Sequence, residues 1–187
     1  VATPVHIVDK AKKLETITDR IEVINTRFEV MKRDLEIIML KKELELNKKE
    51  KPSAELKKIK LEFKESFNEL NNQNEFIKKI NFGSEFMDVK EQERVEEIGG
   101  QTWLFNGKTM SLLDELDIRN LQISKGTLLP EEREIINKHI DITIDMLEKL
   151  PYPKKLRNVP EFAGGHHERL DGKGYPRGLK ADQMSPQ

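Results

Sequence analysis

A chain of 187 residues can fill one sizeable core or two small ones. Hydrophobic and charged residues each make up 36% and aromatics only 6%, and no apolar run approaches the roughly 18 residues of a membrane span, so long helices with wide solvated faces are expected and a transmembrane helix is not. The 33 basic and 34 acidic side chains nearly cancel, which leaves no global field to draw in a nucleic acid polymer or a lipid surface. The absence of cysteine removes disulfides, thiolate metal sites and Cys nucleophiles and points to a reducing, cytoplasmic setting.

The chain opens on Val1 without Met or a signal-peptide pattern and stops at Gln187, after a turn-like Met184-Ser185-Pro186, so both ends are expected to be cut from a longer polypeptide. From Leu14 the apolar residues fall at Leu14, Ile17, Ile21, Ile24, Phe28, Met31, Leu35 and Ile38, alternating steps of three and four that make a heptad seam. A strand would need period two, so the spacing predicts a helix from Leu14 to about Leu46, on the order of 50 Å long. The polar run from Asn47 to Lys51 ends at Pro52, which disfavours helix at the residue before it. Ser53 is placed to cap a second helix, with Leu56, Ile59, Phe63, Phe67, Leu70 and Ile77 on its inner face. Residues 14-80 are thus expected to form a long antiparallel helical hairpin, its stripes hidden against each other or against a second protomer in a homodimer, with nothing reactive in the heptads.

Residues 81-125 change character. Phe82-Gly83-Ser84 breaks the rod, a shorter helix is expected over Asp88 to Ile98, and Gly99-Gly100 stops it. Trp103-Leu104-Phe105 followed by Asn106-Gly107 reads as a small hairpin or a packed loop, and another short helix is expected from Ser111 to Ile123.

The chemistry lies in residues 126-187. Leu129-Pro130-Glu131-Glu132 is a helix start, with Pro in the first turn and acids at the positive end of the dipole, and the helix is expected to run to about Leu150. His139 shares a face with Ile135, Ile136, Ile142 and Met146, which predicts a buried stripe. A second short helix is expected from Pro160, ending in His166-His167-Glu168. Adjacent helical residues point about 100° apart, a geometry that lets these two imidazoles each reach a different ion of a metal pair roughly 3.5–4 Å apart. Gly164 and Gly165 cost helix propensity just before them, a cost that fits a close approach of backbone to a helix or ligand.

The stretch His166-His167-Glu168-Arg169-Leu170-Asp171-Gly172-Lys173-Gly174-Tyr175-Pro176 resembles the HHExxDGxGYP signature of HD-GYP proteins, a branch of the HD-superfamily metal-dependent phosphohydrolases, and matches every fixed position of it. Leu129 through His139 is similar to the family's helix carrying a lone ligand histidine, and Ala2-Thr3-Pro4-Val5 resembles the segment that follows the family's HD dipeptide and its lysine. On that reading residues 1-13 are a remnant of the catalytic domain, roughly 12 to 125 a long helical insertion, and the strong resemblance covers about 126 to 187. It implies an all-α, HD-domain-like bundle that holds divalent ions, iron or manganese foremost and zinc also fitting, to activate water against cyclic di-GMP. His139, His166 and His167 would be metal ligands and Asp171 a supporting carboxylate. Gly174, Tyr175 and Pro176 would form a loop that lines the substrate site and contacts diguanylate cyclase partners. The upstream His-Asp pair with its lysine and a downstream aspartate have no counterpart in this chain, so the chain by itself is expected to be inactive. The competing readings are a non-catalytic signalling module whose hairpin dimerises, and an HD hydrolase acting on another phosphate ester.

Overall fold

The computed structural model describes residues 3–48, 53–83 and 86–185. Ala2, the expected connection at 49–52, Ser84, Pro186 and the capping side chain of Ser53 lie outside the described residues. The elements in chain order are α1 (Val5–Val8), α2 (Ile21–Lys48), α3 (Ser53–Asn81), α4 (Val89–Gly99), β1 (Thr102–Phe105), β2 (Lys108–Ser111), α5 (Glu115–Leu121), α6 (Pro130–Asn137), α7 (His139–Glu148) and α8 (Val159–Gly164), with 3-10 turns at Lys154–Leu156 and Ala181–Gln183. The architecture is all-α apart from the antiparallel β1–β2 pair. No described helix is long and apolar enough to cross a membrane. The chain divides into two compact units, Lys10–Leu128 and a second made of the residues up to Asp9 together with those from Leu129 onward.

In the unit Lys10–Leu128, α2 and α3 pair within one chain. They run antiparallel: Ile21 and Ile24 share a core cluster with Ile77 and Ile80, while Glu43 meets Lys60 at 2.8 Å farther along. The helix expected from Leu14 starts instead at Ile21. Asp19 Oδ1 accepts the Ile21 N–H at 3.1 Å, and Asn81 reaches back from the end of α3 to accept the Leu14 N–H at 2.8 Å through Oδ1. A contact 67 residues away in sequence thus holds the preceding segment out of the helix, leaving Leu14 in the core and Ile17 88% exposed. Phe28, Met87, Val95, Ile98, Leu112, Leu113 and Leu121 complete the cluster. Beyond Leu35 the seam opens: Ile37, Ile38, Leu40 and Leu44 are exposed.

Asn106 and Gly107, at φ 51° and 75°, turn β1 into β2 as a hairpin. The helix expected from Ser111 begins only at Glu115, because Ser111 pairs in β2 and Asp114 caps the helix, its Oδ1 accepting the Asp117 N–H at 2.7 Å. Buried charges escaped the sequence reading, Asp117 and Lys13 most deeply. Asp117 lies against Arg20 at 3.1 Å and Arg27 at 3.5 Å. Lys13, 1% exposed, donates to the Leu121 carbonyl at 2.9 Å, and burial pushes its pKa down to about 8.

In the other unit, the single helix expected from the Leu129-Pro130-Glu131-Glu132 start to about Leu150 is two helices broken at Lys138. The break falls where the Ile136 carbonyl, which would continue the helical ladder, accepts from the His139 ring. The predicted stripe is also corrected: Ile135, Ile142 and Met146 are exposed and His139 half-buried, whereas Ile140 and Ile144 are buried. Packing of α7 on α8 sets this choice. A Cβ on Gly164 would stand 2.7 Å from Ile144 Cγ1, so the glycine lets the two helices meet along the Ile140–Ile144 edge.

Candidate metal centre

Three side chains converge in the unit that contains α6, α7 and α8. His139 stands at the first residue of α7, and His166 and His167 follow the end of α8. One ring nitrogen from each lies within 4.8 Å of the other two. The ring centroids of His166 and His167 are 4.0 Å apart, those of His139 and His167 5.3 Å, and those of His139 and His166 6.1 Å.

Backbone carbonyls orient two of the rings. His139 Nδ1 donates to the Ile136 carbonyl at 2.5 Å and His166 Nδ1 to the Ala163 carbonyl at 2.6 Å. A carbonyl only accepts, so both rings carry their proton on Nδ1 and present the Nε2 lone pair. The same i−3 geometry places both, which is a local consequence of a histidine at a helix end or break. His167 is held differently. Tyr175 stacks on it at 4.7 Å with an 18° interplanar angle, and the Tyr175 N–H donates to the His167 carbonyl at 3.3 Å. Burial and the neighbouring His166 and His139 hold the His167 pKa below its ordinary value, so the ring stays neutral with its lone pair available. Burial raises the Tyr175 hydroxyl.

The donor set fits a divalent ion. Two nitrogens bound at ~2.1 Å stand at most ~4.2 Å apart, so the rings close on one ion with slight side-chain rotation. Neutral imidazoles are its proper ligand form. Among the described residues the cluster of three nitrogens contains no carboxylate.

The loop after His167 is built around Glu168, a signature residue for which no ligand role is expected. Its Oε1 accepts the Arg177 N–H at 2.6 Å and its Oε2 the Leu179 N–H at 2.8 Å. Both ends of one carboxylate thereby close the loop that carries Tyr175. The cue lay in an acid preceding a glycine-rich segment whose backbone donors have no ladder to join. Gly174 passes so close to the backbone of Glu168 and Arg169 that a Cβ there would collide. The Tyr175–Pro176 bond is cis. Asp171 serves the loop as well: Oδ1 accepts the Lys173 N–H at 3.0 Å and Oδ2 pairs with Arg169 at 3.0 Å.

Comparison with known proteins agrees with this geometry. Residues 116–187 match the HD domain family. The chain is 33% identical over 84 residues to a 3'3'-cGAMP-specific phosphodiesterase of Vibrio cholerae, a match covering 44% of this chain and 18% of that protein. It is 31% identical over 126 residues to a cyclic di-GMP phosphodiesterase of Thermotoga maritima, covering 59% of this chain and 34% of the relative. A probable cyclic di-GMP phosphodiesterase of Vibrio cholerae is 39% identical over 70 residues, or 35% of this chain and 16% of that protein. The chain therefore spans about a third or less of the curated relatives it matches. No solved structure matches it significantly.

Proposed function

We propose that the protein is a metal-dependent phosphohydrolase of the HD superfamily, in its HD-GYP-like form, that opens a cyclic dinucleotide of the cyclic di-GMP kind in bacterial signalling; the HD domain match over residues 116–187 and the relatives named as cyclic dinucleotide phosphodiesterases support it. The observation that carries this reading is the gathering of His139, His166 and His167 within 4.8 Å, two of them oriented by backbone carbonyls and the third by a tyrosine. Iron or manganese, with zinc also fitting, suits a site of imidazoles without thiolate. A divalent ion held there supplies a hydroxide near neutral pH and offsets charge on the phosphoryl oxygens.

The chain's own residues do the rest. The Nδ1–H groups stay hydrogen-bonded to the Ile136 and Ala163 carbonyls, which fixes the tautomer and leaves Nε2 for the ion. Tyr175 limits rotation of His167, and Glu168 keeps the Gly174-Tyr175-Pro176 loop closed beside it, where it lines the substrate path and offers a surface to a diguanylate cyclase. Asp171 supports the centre through the loop. A cytoplasmic setting belongs to the same proposal and rests on the cysteine-free composition.

The absence of a carboxylate from the described cluster favours one addition: by itself the 187-residue chain holds metal but turns over little. Equilibrium dialysis of labelled cyclic di-GMP against the Mn2+-loaded chain tests the substrate class, and binding that weakens in Tyr175→Ala is expected. Retention equal to that of a generic phosphodiester would contradict it. Release of linear dinucleotide tests the addition, and brisk turnover by the chain alone would overturn that part.

A further inference from the structure

The seam that joins α2 to α3 occupies one face of α2, and the opposite face carries a second apolar row. Val23, Val30, Ile37 and Leu44 stand seven residues apart, and at about 100° per residue they line up roughly opposite the buried Ile24 and Phe28. Val30 is half-buried and the other three are exposed, with Leu40 exposed between Ile37 and Leu44. A strict seven-residue repeat drifts only ~20° per heptad on a straight helix, so such a row can face one partner helix along its whole length. Large aliphatic side chains open to water this close together mark an interaction surface rather than scattered exposure.

The flanks of the row identify what covers it. With Val23, Val30, Ile37 and Leu44 at heptad position a, the g positions are Glu22, Glu29, Glu36 and Glu43, and the e positions are Arg27, Asp34, Lys41 and Lys48. Two copies of α2 running in the same direction set each g residue beside the e residue five places on in the other copy. Glu22 then meets Arg27, Glu36 meets Lys41 and Glu43 meets Lys48, while Glu29 alone meets a like charge, Asp34. Antiparallel copies would set the glutamate row against itself. Within one chain Arg27 is engaged by the Leu112 carbonyl and Glu43 by Lys60, whereas the side chains of Glu36, Lys41 and Lys48 have no ion pair or hydrogen bond among the described residues. Branched Val and Ile at a, with Leu40 at d, also favour two strands, and polar Thr26 and Arg33 at other d positions limit the strength of the pair.

We propose that the outer face of α2 is the interface of a parallel homodimer, centred on Ile37, Leu40 and Leu44 and oriented by Glu36 of each copy against Lys41 of the other. This face is distinct from the Leu14–Ile38 seam, which packs within one chain. The core already orders α2, so pairing escapes the nucleation cost that defeats short isolated helices. The proposal does not depend on the phosphohydrolase reading, because every residue in it lies within Lys10–Leu128.

Sedimentation equilibrium of the full chain should give a mass that rises with concentration from one chain to two. Ile37→Glu, at a position 47% exposed and so tolerant of change, should hold the mass at one chain. Leu61→Glu, at an exposed α3 position outside the row, should leave dimerisation unchanged. Glu36→Lys should weaken it about tenfold, and adding Lys41→Glu should restore it. Orientation is read by cross-linking. The chain has no cysteine, so Ile37→Cys and Leu44→Cys each introduce a lone thiol, which in a parallel pair lies beside its own copy. Both variants should therefore form disulfide dimers under mild copper–phenanthroline oxidation. A mass of one chain at the highest soluble concentration, a dimer that survives Ile37→Glu, or a cross-link missing from either cysteine variant would overturn the proposal.

Discussion

The two units of this molecule reach order by different means. Residues of Lys10–Leu128 bury a continuous cluster drawn from α2, α3, α4, α5 and the segments beside them, and hydrophobic burial is the main source of their order. The unit with the histidines buries only Ile7, Leu129, Ile140 and Ile144 among its described apolar side chains. Its loop is held instead by one carboxylate, a stacked tyrosine and glycines that allow close approach. A scaffold can rest on area. A metal centre needs directions, and hydrogen bonds supply them.

The largest expected effect breaks the first unit. Phe28→Ala removes a side chain with no exposed surface from the middle of the cluster and should cost about 3–5 kcal/mol in urea unfolding, while metal binding under native conditions persists. Lys13 gives a pH-dependent version of the same test. Its pKa is about 8 in the folded chain against the ordinary 10.5 of an unfolded one, so between those limits the unfolded chain holds a proton that the folded chain has released. Stability should therefore rise as pH climbs from about 8 to about 10.5, by up to about 3 kcal/mol, and Lys13→Met should flatten the slope in that window.

Changes in the second unit should read out in affinity rather than in overall unfolding. Gly174→Ala forces a Cβ against the backbone of Glu168 and Arg169, shifts Tyr175 from His167, and should weaken metal binding about tenfold to hundredfold by calorimetric titration. The smallest effect belongs to the hairpin's surface. Glu43→Gln removes the 2.8 Å pair with Lys60 and should change stability by less than about 0.5 kcal/mol, with salt erasing even that.

The sequence made the helical hairpin legible because heptad spacing is a local property, and Asn106-Gly107 likewise announced its turn. What it concealed depends on partners distant along the chain. The start of α2 at Ile21 reflects Asn81, and the burial of Lys13 reflects the Leu121 carbonyl 108 residues away. Within the centre, the identities of His139, His166 and His167 were legible as a motif, and their convergence followed from it. The break before His139 and the exposure of Met146 were not, because helical periodicity names a face without saying which neighbour will cover it. Glu168 illustrates the remaining gap. A signature can mark a residue whose work is to hold backbone, and only the bonds to Arg177 and Leu179 reveal it.

The most direct test of the central claim, that three imidazoles from α7 and the end of α8 share one ion, is optical titration of the chain with Co2+, whose visible bands report the ligand set. The account predicts one ion bound per chain, with bands of nitrogen coordination that vanish in His139→Ala and in His166→Ala alike. Bands that survive either substitution, or an ion bound without any of these rings, would contradict it.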